Sequence, residues 1–286
     1  MRLRDNRAIL HSVEHRRILC RVVLQQGRGD GLLAFSLPDT HLHIEALCGE
    51  RPATRLCQRI ETSLKQRLAL PVGFVTYPHE PIWDQRHLYN TLRYILTQHI
   101  RHGLDLHSFL EATNLPDLLG LRLLGQYARD NIRRHLPRVR TATILSWSGV
   151  PTLHPVDGPL DAVVDATLSA TALNSLAGSS QPVLEARRAL IEVVGNRLDN
   201  AAQKELLGVA ERTLLTLRHR PVNPQLVQAI RLQLGLRHAM GAATAEIAGP
   251  SEKVGLIRRC GRAVTRSAGV VVAGEAGAGR GRVRHA

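Results

Sequence analysis

The spacing of apolar residues divides the first part of the chain into helix-like and strand-like segments. Apolar positions recur at helical spacing over residues 5–25, 53–68 and 87–102. Short apolar or alternating runs, typical of strands, cover residues 32–37, 41–47 and 72–77. Asp5 is the expected N-cap of the first helix. This order of elements predicts an α+β fold in which helices pack on a small antiparallel sheet.

The pattern becomes helical after residue 110. Helical spacing covers residues 117–136, 183–197, 200–218 and 224–240. The Pro- and Gly-containing stretch 148–159 is the expected boundary within this region. The predicted organisation is an α+β domain at 1–110, a helical extension at 111–150, a helical C-terminal domain at 151–248 and a disordered basic tail at 249–286. The helix at 224–240 carries basic residues, and either a DNA-contacting or a purely structural role fits it.

Charge adds a functional indication to this organisation. The 286 residues include 38 Lys and Arg against 24 Asp and Glu, which gives a formal net charge of +14 and a pI near 10.9. Such an excess is the electrostatic footprint of a protein that binds a polyanion, and nucleic acid is the leading candidate. A coding bias towards Arg is the alternative explanation.

The cysteines and the amino terminus restrict the class of protein further. The four cysteines are far apart and form no Cys-x-x-Cys pair, which argues against a disulfide framework or a zinc ribbon. The first residues are charged, and no apolar run approaches the roughly 20 residues that a membrane span needs. We therefore expect a cytoplasmic protein without a membrane partner.

Two histidines in the second predicted strand are candidate metal ligands. Side chains alternate between the two faces of a strand, so His41 and His43 project from the same side, about 7 Å apart along the backbone. That spacing lets both imidazoles converge on one ion. A His-x-His pair also arises by chance in a chain with 14 histidines, and an ordinary structural pair is the alternative.

A polar stripe on the helix at 87–102 is the second candidate feature. Tyr94 and Gln98 are four positions apart and share one helix face, with Thr91 and Arg101 beside them. The apolar side chains of the helix are turned largely elsewhere. An ordinary solvent-facing edge with a half-buried tyrosine is the alternative interpretation.

Together these two segments resemble a known family. The strand segment 35–44, FSLPDTHLHI, resembles the strand of the HUH (His-hydrophobic-His) single-tyrosine transposases of the insertion-sequence and REP-associated class. The segment 92–104, LRYILTQHIRHGL, is similar to the catalytic helix of that family, in which Gln or Asn follows the nucleophilic Tyr by four positions. The resemblance covers residues 5–105, with both motifs in the family's order.

The resemblance implies a metal-dependent single-strand DNA endonuclease and strand transferase with a packed HUH-like fold. Tyr94 would be the nucleophile and would form a covalent 5′-phosphotyrosine. His41, His43 and Gln98 would hold Mg²⁺ or Mn²⁺, which activates the scissile phosphate. The partner would be single-stranded or hairpin DNA, and a homodimer stays open. The basic residues expected to contact DNA are Arg55, Arg59, Lys65 and Arg101.

Some features depart from the family. A sheet strand normally precedes the first helix, but this chain begins almost at that helix, so an internal strand is expected to be missing. Thr40 stands where Asn is common in the REP-associated group. These departures leave an alternative open, namely a DNA-binding or regulatory remnant that keeps the fold without cutting.

Two other tyrosines compete for the role of nucleophile. Tyr89 lies five positions before Tyr94 and therefore on a different face of the helix. Tyr77 precedes a proline in a strand or loop. The four-residue spacing to Gln98 favours Tyr94.

Overall fold

A hairpin of two antiparallel strands, β1 (Leu32–Ser36) and β2 (His43–Ala46), forms the sheet of this computed structural model. The structure describes residues 1–5, 8–10, 12–38, 40–75, 79–150 and 152–247, with side chains up to residue 240. The basic tail predicted from residue 249 lies outside these residues. Most of the described chain is helical, which confirms the coarse prediction of a small antiparallel sheet followed by a helical C-terminal region.

Helices cover both faces of the hairpin, which explains why β1 is buried along its whole length. On one face, Phe35 and Ile44 pack in a cluster with apolar residues of α1 (Val13–Gln26) and α2 (Glu50–Leu68). On the other face, Leu33 packs with α3 (Gln85–Leu96). The buried residues of α2 in these clusters are Leu56, Ile60 and Leu64, and those of α3 are Leu88, Leu92, Ile95 and Leu96.

The start of the chain extends the sheet next to His41. Isolated antiparallel bridges join Arg2 to His41 and Leu3 to Phe74. The amide of Leu42 donates to the carbonyl of Met1 at 2.6 Å. The first residues therefore pair with the sheet through isolated bridges, although they form no regular strand of their own. The strand expected at 72–77 is reduced, in its described part 72–75, to the single bridge at Phe74, and 76–77 lie outside the described residues.

The first helix begins later than the sequence suggested. Its N-cap is Ser12, whose hydroxyl accepts a hydrogen bond from the amide of His15 at 3.3 Å, and not Asp5. Asp5 follows the extended segment that pairs with Phe74, so the backbone ahead of it is already committed to the sheet.

The helix predicted over 87–102 is interrupted. After α3, a short helix α4 (Gln98–His102) follows, and Thr97 separates the two with φ −110°. The Thr97 hydroxyl donates to the carbonyl of Arg93 at 2.9 Å, a local bond that competes with regular helix geometry. α4 ends at Gly103, which has a left-handed φ of 60°.

The remaining helices fill the second half of the described chain. They are α5 (Leu106–Leu110), α6 (Leu115–Leu119), α7 (Gln126–His135), α8 (Thr141–Ser148), α9 (Leu160–Thr171), α10 (Gln181–Val194), α11 (Asn200–Leu207), α12 (Glu211–His219) and α13 (Pro224–Ile247). The single helices expected at 117–136 and 200–218 are each divided in two, the second at Gly208 with φ 59°. Nowhere in the described part of the chain does a helix have the length and apolar composition to cross a bilayer.

A partly buried ion network joins the first helix to the C-terminal helices. The guanidinium of Arg17 lies 3.2 Å from a carboxylate oxygen of Glu111 and 2.9 Å from one of Asp165. Arg237 on α13 lies 2.5 Å from the other oxygen of Asp165 and donates to the hydroxyl of Ser169 at 3.0 Å. Residues on both sides of the predicted boundary at 148–159 thus share one network, and Met1–Ile247 form one compact unit.

Replacing Arg17 with Ala should destabilise the protein by about 3 to 5 kcal/mol, because the buried carboxylate of Glu111 loses its cation. The matched control is Arg16→Ala on the same helix, which should change stability by less than about 1 kcal/mol. Urea unfolding followed by circular dichroism measures both. Equal stabilities of the two variants would show that the network does not hold these segments together.

Candidate functional site

The two histidines of the His-x-His motif lie side by side in the structure. His41 is bridged to the first residues of the chain, and His43 is the first residue of β2, opposite Ser36. Their ring centroids are 4.5 Å apart, with the ring planes at 70°. The structure therefore brings together the pair that the strand alternation placed on one side.

Tyr94 faces this histidine pair from α3. Its ring centroid lies 5.5 Å from that of His43, with the ring planes at 88°. Leu92 and Ile95, the neighbours of Tyr94 in the helix, are buried against the hairpin, while 38% of Tyr94 is exposed. The tyrosine hydroxyl belongs to a side chain at the rim of the site, in contact with solvent.

Gln98 lies inside the site and is linked to it by His102, a residue that the sequence analysis missed. Its side chain is fully buried, and its amide nitrogen donates to the backbone carbonyl of Tyr94 at 3.0 Å. Its oxygen is 3.0 Å from Nε2 of His102, whose ring centroid is 6.1 Å from that of His41. The only sequence signal for His102 was its position four residues after Gln98.

The electrostatics of His43 suit a neutral imidazole. Burial and the neighbouring His41 lower the pKa of His43 to about 4, so the ring is uncharged at neutral pH. Its Nε2 is buried and has no hydrogen-bond partner among the described residues. A neutral imidazole with an unpartnered buried nitrogen is the form that binds a metal ion.

These observations fit a divalent ion in part. His41 and His43 offer imidazole ligands, and Gln98 offers an amide oxygen, although that oxygen also faces His102. Within the residues that the structure describes, no three His, Cys, Asp or Glu side chains are placed to hold a metal ion together. The ligand set therefore depends on the amide of Gln98 as well as on the histidines.

Glu45 is a further buried polar residue on the same strand. It follows His43 by two positions, so the two side chains project from the same face of β2. Both of its carboxyl oxygens are buried without a hydrogen-bond partner in the described part of the chain, and burial raises its pKa to about 8. The sequence analysis missed it, although His41, His43 and Glu45 occupy alternating positions.

The basic residues predicted to contact DNA do not lie together. The guanidinium carbon of Arg101 is 4.7 Å from the centroid of the Tyr94 ring, so Arg101 belongs to the site. The other three lie on α2, which packs on the opposite face of the hairpin from α3. Arg59 pairs there with Asp30, Lys65 lies 3.5 Å from Glu61, and Arg55 is exposed.

The competing tyrosines have different surroundings. The ring of Tyr89 packs against Trp147 with centroids 4.9 Å apart, on the side of α3 that joins the apolar cluster. Tyr77 lies outside the described residues. Among the described tyrosines, Tyr94 is the one whose ring contacts a histidine.

Comparison with known proteins yields no relative. No protein-family model matches the chain, and neither a curated protein nor a solved structure matches it significantly. The resemblance to the HUH transposases therefore depends on the two sequence motifs.

The pKa of Glu45 predicts how stability depends on pH. The unfolded chain loses this proton near pH 4.3, whereas the folded protein retains it up to about pH 8. The folded state therefore binds more protons between these values, and the free energy of unfolding falls as pH rises from about 5 to about 8. Glu45→Gln should remove this loss, which is a few kcal/mol because one pKa unit corresponds to about 1.4 kcal/mol.

The measurement is urea unfolding at pH 5, 6.5 and 8 in EDTA, so that bound metal does not contribute. Glu80→Gln, at an exposed position, is the control and should follow the wild type. A Glu45→Gln curve parallel to that of the wild type would contradict a buried, protonated carboxyl group.

Proposed function

We propose that this protein cleaves and rejoins single-stranded DNA through a covalent phosphotyrosine on Tyr94. The observation that carries the proposal is the approach of Tyr94 to the histidine pair, with 5.5 Å between the ring centroids of Tyr94 and His43. Two segments about 50 residues apart in sequence, each matching one motif of the HUH transposases, meet in space. An accidental His-x-His pair would have no reason to face the tyrosine that has Gln four positions after it.

The proposed reaction exchanges one phosphodiester bond of the DNA for a phosphodiester bond between the DNA and Tyr94. The Tyr94 oxygen attacks the phosphorus, the bond to the 3′ oxygen breaks, and the tyrosine holds the 5′ end of the downstream strand. The phenol proton leaves to solvent, which reaches this half-exposed side chain, and the 3′ oxygen takes up a proton. Reversal by a 3′ hydroxyl rejoins the strand, and no nucleotide hydrolysis is needed.

A divalent ion completes the proposed chemistry. His41, His43 and the amide oxygen of Gln98 would hold Mg²⁺ or Mn²⁺, which when bound polarises the scissile phosphate. The hydroxyl of a tyrosine is a weak nucleophile, so the phosphate that it attacks must be made more electrophilic. His102 hydrogen-bonds Gln98 and thereby fixes the orientation of that amide.

The charge of the site and of the chain favours a nucleic-acid substrate. Arg101 stacks on the Tyr94 ring and places a cation where a phosphate must come to be attacked. The formal net charge of +14 attracts a polyanion at longer range. The proposed partner is single-stranded or hairpin DNA, the proposed location is the nucleoid in the cytoplasm, and a homodimer stays open.

A second candidate function is DNA binding without cleavage. The observation that favours it is that no three His, Cys, Asp or Glu side chains of the described chain are placed to hold a metal. Such a protein would bind hairpin DNA through its basic surface and form no covalent adduct.

Tyr94→Phe should abolish the covalent adduct and leave hairpin binding nearly unchanged, because only the hydroxyl is removed. Tyr89→Phe is the matched control on the same helix and should retain the adduct. The measurement incubates each protein with 5′-labelled and 3′-labelled hairpins in Mn²⁺ and resolves the products on a denaturing gel. The shifted, protease-sensitive band should carry only the 3′ label.

His41→Ala and His43→Ala should lose the adduct while retaining DNA binding in EDTA, because each loses one imidazole ligand. An adduct that persists in Tyr94→Phe would move the nucleophile to another residue. Wild-type protein that binds the hairpin without an adduct under any divalent metal would favour the second candidate.

A further inference from the structure

An exposed tryptophan stands at the start of the helix that carries Tyr94. Trp83 is 80% exposed, an unusual state for the largest apolar side chain. Its position is fixed on both sides, because Ile82 packs against the apolar cluster and Asp84 caps α3 by accepting from the amide of His87 at 2.7 Å. The indole is thus held outward by ordered backbone.

Basic side chains continue from Trp83 along one face of α3. Arg86, Asn90 and Arg93 follow at helical spacing and are all exposed, opposite the face that Leu88 and Leu92 bury. In the described part of the chain no carboxylate forms an ion pair with Arg86 or Arg93.

The stripe leads to the proposed nucleophile. Tyr94 adjoins Arg93, and Arg101 lies over the Tyr94 ring. From Trp83 to Tyr94 the distance along the helix is about 16 Å, at roughly 1.5 Å per residue. An aromatic platform followed by regularly spaced cations is the arrangement by which proteins hold a single strand, since bases stack on the ring and phosphates meet the cations.

We propose that this stripe, formed by Trp83, Arg86, Arg93 and Arg101, is a binding track for single-stranded DNA. One base stacks on Trp83, and the phosphates that follow are contacted by Arg86 and Arg93 on the way to Tyr94. The choice of DNA as the strand rests on the proposed function.

The negative charges near the platform do not cancel this track. The carboxylate of Asp84 is occupied by the amide of His87 in the cap. Glu80 lies in the loop before the helix and is exposed. The three arginines of the stripe outnumber these two carboxylates, and they lie on the side of Trp83 towards Tyr94.

The presence of only two tryptophans allows a direct test. Trp147→Phe preserves an aromatic ring against Tyr89 and leaves Trp83 as the sole tryptophan. Tyr94→Phe is added to prevent cleavage. Titration of this double variant with oligothymidylate should quench the tryptophan emission, whereas inorganic polyphosphate, which has no bases, should not.

Affinity measured by fluorescence anisotropy of a labelled oligothymidylate supplies the second readout. Trp83→Ala should weaken binding about tenfold, the loss expected for one stacked base, and Trp83→Phe should retain most of the affinity. Arg86→Gln and Arg93→Gln should each reduce the slope of log affinity against log salt by about 0.7. Arg212→Gln, an exposed arginine on α12, is the control and should leave the slope unchanged.

Three results would overturn the track. In the first, oligothymidylate binds without changing the Trp83 emission, and Trp83→Ala binds it with unaltered affinity. In the second, polyphosphate quenches the emission as strongly as oligothymidylate does, and in the third no oligothymidylate binds. The proposed function is judged separately, by the wild-type adduct. Quenching without an adduct supports the track alone, and an adduct without quenching supports the cleavage alone.

Discussion

The packing of α3 on the β1–β2 hairpin is the constraint on which the candidate site depends. Leu88, Leu92 and Ile95 bury one face of the helix against Leu33 and its neighbours. Because that face is fixed, the polar face of α3 is directed past the edge of the hairpin. The alternating polar side chains of β2 lie at this edge. The meeting of tyrosine and histidines is therefore a consequence of apolar burial, and it needs no direct bond between them.

Much of this arrangement follows from local sequence patterns. Strand alternation predicts that His41 and His43 share a side, and helical spacing predicts that Tyr94 and Gln98 share a face. Both patterns involve residues that are close in sequence, so they can be recognised without knowledge of the rest of the fold. The capping signal was less decisive, because Asp and Ser are both good N-cap residues, and the structure places the cap at Ser12 rather than at Asp5.

The parts that could not be predicted depend on contacts between distant segments. The break at Thr97 is such a feature, because the apolar spacing continues across it although the helix ends there and α4 begins. Glu45 remains a buried acid because helices cover both faces of the hairpin. The helix α9 was also missed, and its Asp165 is reached by Arg17 from a position 148 residues earlier in the sequence.

The proposed function requires that the histidine pair, with Gln98, hold a divalent metal ion beside Tyr94. A crystal grown with Mn²⁺ tests it most directly, because the anomalous signal of manganese locates the ion independently of activity. The account predicts one strong anomalous peak within coordination distance of imidazole nitrogens of both His41 and His43, on the side of the Tyr94 ring. An ordered site without such a peak, or a manganese ion bound only elsewhere on the chain, would contradict it.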